Sequence, residues 1–214
     1  MKSVQDSEFV RGIQDEARRE RMSITVGVHE PGAGGKLKNT ALWINEQGHI
    51  AHRYQKLQLF DMDSQSEGGV VIKESDSTEQ GDRILPPFDT PIGRVGLAIC
   101  FDLRFPEIAL SLKRQGSEIV TYPSAFAVQT GRAHWHTLLR ARAIESQSYV
   151  FAAAQVGQHN EKRASYGHSL IVGPWGDIKA ELSGENTEPE IAVIDVDLDE
   201  VKKIRREMPL HRRT

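Results

Sequence analysis

A single cysteine, Cys100, closes the short apolar run Val95-Gly96-Leu97-Ala98-Ile99 and directly precedes the cluster Phe101-Asp102-Leu103-Arg104. The run follows the turn residues Pro91 and Gly93 and predicts a buried strand, while Asp102 and Pro106 predict a helix opening near Phe105. Cys100 is therefore expected at a strand-to-helix elbow. That geometry lifts a side chain off the end of a sheet and aims the following backbone N–H groups beside it, which suits a nucleophile in acyl transfer. Read by itself, a cysteine at the end of a strand is also a small hydrophobe. Lys56 sits in Tyr54-Gln55-Lys56-Leu57-Gln58-Leu59-Phe60, where a lone lysine reads as a side chain snorkelling to the surface. His134 and His136 lie two apart on a predicted helix and point to different faces, so no metal site is expected from that pair.

These residues need elements to place them. Ser7 to Arg21 predicts an amphipathic helix capped by Ser7, with Phe9, Val10, Ile13 and Ala17 on its inner face. Ser23 to Glu30 reads as a strand, Pro31 to Gly35 as a glycine-dense loop, and Thr40–Asn45 with His49–Leu59 as a hairpin around Glu46-Gln47-Gly48. Ser64 to Arg83 is patternless and polar, a loop that carries Glu74. After the cysteine elbow come a helix over Phe105–Arg114 closed by Gly116, a strand over Glu118–Tyr122, a helix over Arg132–Ser148 with Trp135, Leu138, Leu139 and Ile144 inward, and a strand over Tyr149–Val156. That alternation predicts an α/β layered fold. His168–Val172, Ile178–Leu182 and Ile191–Val196 read as further strands, and Leu198–Glu207 as a closing helix. Arg205, Arg206, Arg212 and Arg213 read as a solvated helix end.

The 214 residues, 38% of them hydrophobic, are enough for one globular domain with a sizeable core. A net charge of -3 makes no electrostatic footprint for nucleic acid or an anionic membrane. The chain has no apolar run of about 18 residues, and its polar start lacks a signal-peptide core. The expectation is a cytoplasmic protein that binds neither membrane nor nucleic acid; a leader lost upstream of Met1 would give a mitochondrial form. One cysteine forms no internal disulfide and leaves a free thiol to explain.

Three segments, Tyr54–Asp61, Gly96–Glu107 and Tyr122–Phe126 with Ala133-His134-Trp135 and Arg140–Glu145, resemble the nitrilase (carbon–nitrogen hydrolase) superfamily, and within it the Nit branch. The resemblance runs in order from about Ser7 to Pro209. It implies a single domain over residues 1–214, a four-layer αββα sandwich, a homodimer, and a cofactor-free, metal-free hydrolase with a Glu–Lys–Cys triad. Carried over, Cys100 is the nucleophile that forms a thioester and releases ammonia. Lys56 is its cationic neighbour, the Phe101 N–H helps hold the oxyanion, and Glu74 matches a second glutamate that bonds near the lysine. The implied substrate is the terminal amide of a small carboxylate-bearing molecule, such as deaminated glutathione or the ω-amide of a 2-oxo acid. Tyr122, Ser124, Phe126, Thr130 and His134, with Arg104 beside the nucleophile, are the expected substrate-binding residues.

One departure stands beside the matches. In the family the general-base glutamate belongs to a Pro-Glu segment that precedes the helix beginning here at Ser7, and neither Glu8 nor Glu16 matches it. The expectation is an N-terminally incomplete domain that lacks the first strand–helix–strand. Its alternative role is that of an inactive binding or scaffolding module on the same fold.

Overall fold

A computed structural model describes residues 2–63, 71–161, 163–185 and 188–210. The chain divides into two compact units, residues 1–85 and 86–214.

The first unit packs one helix on one antiparallel sheet. Helix α1 (Glu8–Glu20) starts where the Ser7 hydroxyl accepts the Val10 N–H at 3.3 Å, and it ends at Arg21 in the left-handed conformation. Strand β1 (Ile24–Pro31) pairs antiparallel with β2 (Leu37–Ile44), which pairs with β3 (Ile50–Gln55) across the Glu46-Gln47-Gly48 turn. Val10 and Ala17 from the helix pack with Leu42 and Ile44 from β2, and Ile13, Val26 and Ile50 close around them. Phe9, expected inward, is 59% exposed. The inner stripe runs through Val10, Ile13 and Ala17, and at about 100° per residue Phe9 falls outside it.

The stretch expected to be a patternless loop is more ordered than its composition suggests. Strand β4 (Asp61–Asp63) pairs with β5 (Val71–Lys73), a 3-10 turn covers Glu74–Asp76, and β6 (Thr78–Glu79) lies parallel to the start of β2. Cross-strand pairing supplies here what local periodicity does not. Residues 64–70 of that stretch lie outside the described residues. Strand β3 stops at Gln55, short of the predicted Leu59, so Lys56 begins the loop that follows it.

The second unit is a six-stranded mixed sheet. Its strands are β7 (Phe88–Thr90), β8 (Gly93–Leu97), β9 (Ile119–Thr121), β10 (Tyr149–Ala152), β13 (Leu170–Val172) and β14 (Ile178–Glu181), in the spatial order β14-β13-β10-β9-β8-β7. The central three are parallel. They are linked by helix α2 (Pro106–Arg114) and helix α3 (Val128–Ser146), as βαβ crossovers require. A separate hairpin, β11 (Val156–Asn160) with β12 (Arg163–Tyr166), leaves the sheet after β10. Helix α4 (Leu198–Glu207) closes the unit, with Val201 and Ile204 buried.

Three expectations need correction here. Ile144 is 41% exposed, because the buried stripe of α3 passes through Trp135, Leu139, Arg142, Ala143 and Ser146. Ile191–Val196 keeps a strand's alternation of burial but joins no ladder among the described residues, and Ile191 and Val193 stay exposed. Arg205 is no solvated helix end: its guanidinium donates to the carbonyls of Ser117 (2.6 Å) and Gln147 (3.1 Å) and to the Ser148 hydroxyl (2.9 Å), tying α4 to the segments before β9 and β10. Arg206 is exposed, and Arg212 and Arg213 lie outside the described residues.

Gly131 marks a close approach of α3 to the β11–β12 hairpin, since a Cβ built on it would lie 2.3 Å from Cγ of Tyr166. Gly131→Ala must push the base of that ring aside, at a cost on the order of 1–3 kcal/mol that exceeds the helix propensity alanine regains. Gly12, inside α1, has open space around it. Urea denaturation is expected to show a lowered midpoint for Gly131→Ala and an unchanged or raised one for Gly12→Ala, where relief of glycine's entropy is worth roughly 0.5–1 kcal/mol.

Candidate active site

Strand β8 runs out at Leu97, and after Ala98 and Ile99 the chain turns sharply. Cys100 adopts φ 45°, in the left-handed region, and opens a 3-10 helix over Cys100–Arg104 that leads to Pro106, the first residue of α2. A side-chain-bearing residue held there stores roughly 1–2 kcal/mol, and such strain persists only where neighbours over-determine the backbone. Several neighbours do so. The Cys100 N–H donates to the Pro123 carbonyl at 3.1 Å, the Asp102 N–H to the Ile99 carbonyl at 2.9 Å, and the Ile99 N–H to the fully buried Asp102 carboxylate at 2.9 Å. From α3, the buried Arg142 guanidinium donates to the Leu103 carbonyl at 2.9 Å and to Glu145 at 3.0 Å. The result is a thiol of intermediate exposure at the carboxyl end of a parallel strand, where open α/β sheets place their ligands.

Asp102 and Arg142 are positioning residues that sequence reasoning did not assign. A carboxylate two residues after the cysteine and an arginine within α3 were both visible as letters. What was missing was their burial, which marks them as fixtures of the elbow rather than surface charge.

The segment after β9 sits beside the elbow within the same unit. Ser124 donates its hydroxyl to the Tyr122 carbonyl at 2.9 Å and bridges in parallel to Ala154, extending the β9–β10 pairing. Tyr122 is fully buried, burial pushes its phenol pKa strongly up, and its hydroxyl finds no partner among the described residues. Phe126 stacks against Trp135 with centroids 4.8 Å apart. The Arg104 guanidinium lies 5.7 Å from the ring centres of both Phe101 and Phe126, and its Nη2 meets His134 Nδ1 at 3.2 Å. Arg104 thus bridges to a histidine and two aromatic faces, a partly exposed cation framed by apolar surface. Thr130 turns its hydroxyl back to the Ala127 carbonyl at 3.3 Å, an N-terminal fixture of α3. Phe101 is the second residue of the 3-10 turn, and its ring packs edge-on against Phe105.

In the first unit, Lys56 is 3% exposed and does not snorkel. Its Nζ donates to Glu74 Oε2 at 2.6 Å, and the same oxygen accepts the Phe60 N–H at 2.6 Å. The Lys56 backbone is itself clamped, its N–H donating to the Asn39 carbonyl and its carbonyl accepting from Gly81. Glu74 is placed for this role by the β4–β5 pairing, which returns the chain to Phe60, and by its own N–H bond to the Phe60 carbonyl at 3.2 Å. A buried ammonium held by one charge-assisted bond is a preorganised positive charge.

The two histidines part company. His134 joins Arg104, whereas His136 turns to Glu181 at the end of β14 and, through it, to His168.

Comparison with known proteins places the chain in a family. The sequence profile of the family described as Carbon-nitrogen hydrolase matches residues 2–206. The "Probable hydrolase nit2" of Schizosaccharomyces pombe is 48% identical over 209 residues, covering 97% of this chain and 75% of that protein. The "Deaminated glutathione amidase" of Mus musculus is 46% identical over 193 residues, covering 87% of this chain and 58% of its own length. Among solved structures, the Caenorhabditis elegans NitFhit protein superposes with a TM-score of 0.88 at 41% identity, over 98% of this chain and 51% of that one. Saccharomyces cerevisiae Nit3, described as a member of branch 10 of the nitrilase superfamily, superposes with a TM-score of 0.83 at 30% identity, over 97% and 71%. This chain therefore spans between about half and three quarters of the length of these relatives. With a family profile matched along nearly its whole length and an α/β fold shared with solved nitrilase-superfamily structures, the chain belongs to the carbon–nitrogen hydrolase family.

Proposed function

We propose that this chain carries the nucleophile of an amidase that hydrolyses the terminal amide of a small carboxylate-bearing molecule, in the class of deaminated glutathione or the ω-amide of a 2-oxo acid. The observation that carries this reading is the strained backbone of Cys100 at the carboxyl end of β8. A structural cysteine needs no positive φ, whereas a nucleophile elbow does. The name of the mouse relative, a deaminated glutathione amidase at 46% identity, supports the substrate class.

In the proposed reaction the Cys100 sulfur attacks the amide carbonyl carbon and a tetrahedral oxyanion forms. The carbon–nitrogen bond then breaks, and the nitrogen leaves as ammonia carrying the proton the thiol gave up. Water attacks the resulting thioester, releasing the carboxylic acid and restoring the thiol. The family resemblance assigns the charge at the oxyanion to Lys56, which Glu74 holds, and the backbone N–H to Phe101. Arg104, with His134 beside it, offers the cation for the substrate's free carboxylate.

The test is ammonia release from deaminated glutathione and from a 2-oxo acid ω-amide, with mass spectrometry of the quenched protein for an acyl adduct on Cys100. The expected result is ammonia with one of these substrates and a thioester adduct that accumulates at Cys100. Neither ammonia nor adduct with folded protein would overturn the amidase reading in favour of a binding module.

A further inference from the structure

Outside the elbow, three ligand-bearing side chains from three separate elements of the second unit converge. His136 lies on α3, His168 in the segment before β13, and Glu181 at the end of β14. His136 Nε2 and His168 Nδ1 each stand 2.8 Å from the same carboxylate oxygen, Glu181 Oε1. The ligand atoms of all three lie within 4.8 Å of one another. We propose that His136, His168 and Glu181 form a binding site for a divalent transition-metal ion of the zinc class.

The geometry lies within a small rearrangement of metal coordination. Tetrahedral zinc with ligands at about 2.0–2.1 Å sets neighbouring donor atoms roughly 3.3 Å apart. The two nitrogens stand 2.8 Å from the carboxylate oxygen and no more than 4.8 Å from each other, so about half an ångström of opening on each N···O edge, with the nitrogens settling to the same spacing, admits an ion in place of the two bridging protons. The ligand set, two imidazoles and a carboxylate with a coordination position left for water, is the kind that zinc and its neighbours in the first row accept.

The first ligands are also held from behind. His168 has φ 56°, an uncommon conformation for a residue with a side chain. Its carbonyl accepts the Trp135 indole N–H at 2.7 Å, and its ring lies against Tyr166 with centroids 4.3 Å apart. Gly184 presses close to the same ring, where a Cβ would lie 2.1 Å from Nε2. His168 therefore keeps one orientation, with Nδ1 toward Glu181. His136 sits next to the fully buried Trp135 on a rigid helix. Preorganised ligands with supporting contacts distinguish a built site from a chance cluster.

The experiment strips the 214-residue chain with a chelator and titrates it with Zn²⁺ by calorimetry, and with Co²⁺ by visible absorption. The expected result is one Zn²⁺ per chain, a Co²⁺ spectrum with absorption bands of low-symmetry coordination, and a Zn²⁺-dependent rise in thermal midpoint. His136→Gln and Glu181→Gln, both at partly exposed positions, are each expected to weaken Zn²⁺ binding by at least about tenfold and to abolish the Co²⁺ bands. Circular dichroism establishes that each variant is folded. An absence of Zn²⁺ binding by the unaltered chain would overturn the proposal, and so would equal binding by a folded His136→Gln or Glu181→Gln protein. Ammonia release is not read, so the outcome is independent of the amidase proposal.

Discussion

Glu74→Ala is expected to destabilise the chain by about 3 kcal/mol, toward the lower end of what breaking a buried ion pair costs. Lys56 is 3% exposed and its ammonium donates to Glu74 at 2.6 Å. Removing the carboxylate leaves a cation in a desolvated position and also withdraws the acceptor of the Phe60 N–H. The penalty comes from the stranded charge rather than from the worth of the pair, so the double variant Lys56→Met, Glu74→Leu is expected to recover most of the loss, because apolar replacement of a buried pair is often neutral or stabilising. Urea titration of the single and double variants measures this. A single-variant loss below about 1 kcal/mol would mean that solvent screens the pair, as it does for exposed ion pairs.

Cys100→Gly is expected to remove every trace of ammonia release and of acyl adduct while leaving the protein as stable as before, or more so. Glycine adopts φ 45° without the Cβ clash that costs other residues roughly 1–2 kcal/mol, and this relief offsets the packing lost with the thiol. Cys100→Ala is the necessary comparison, since alanine loses the sulfur but keeps the strain. The glycine variant should therefore be the more stable of the two by on the order of 1 kcal/mol, with both equally inert. Thermal and urea unfolding of the three proteins decide it. If the alanine variant matches or exceeds the glycine variant, the elbow is relaxed and the case for a preorganised nucleophile is lost.

Both predictions rest on positions whose letters were informative and whose energetics were not. The strand before Cys100 was legible because apolar residues bounded by turn residues have few other uses. The helices were legible where the 3.6-residue stripe is clean: Ser7 caps α1, and Leu198–Glu207 is helical over the predicted span. Legibility failed where a partner rather than a period decides structure. Strands β5 and β6 come from a stretch with no pattern of its own and exist through pairing with β4 and with the start of β2. The opposite failure is Ile191–Val196, where the period of a strand is present and no ladder partner is found among the described residues.

By itself the sequence determined which residue types are available for chemistry: one cysteine after an apolar run, a lysine in an apolar setting, and a motif order that resembles a hydrolase family. It also determined that His134 and His136 cannot share one ligand, because residues two apart on a helix face different ways. Tertiary structure alone decided that Lys56 is buried, its partnership with Glu74 being already implied by the resemblance, and that Asp102 and Arg142 lock the elbow. It also decided that His136 meets a histidine 32 residues away and a glutamate 45 residues away. The reason is physical: local periodicity encodes which face of an element is apolar, whereas the pairing of charges across elements depends on desolvation and sheet order, which no short window of sequence contains.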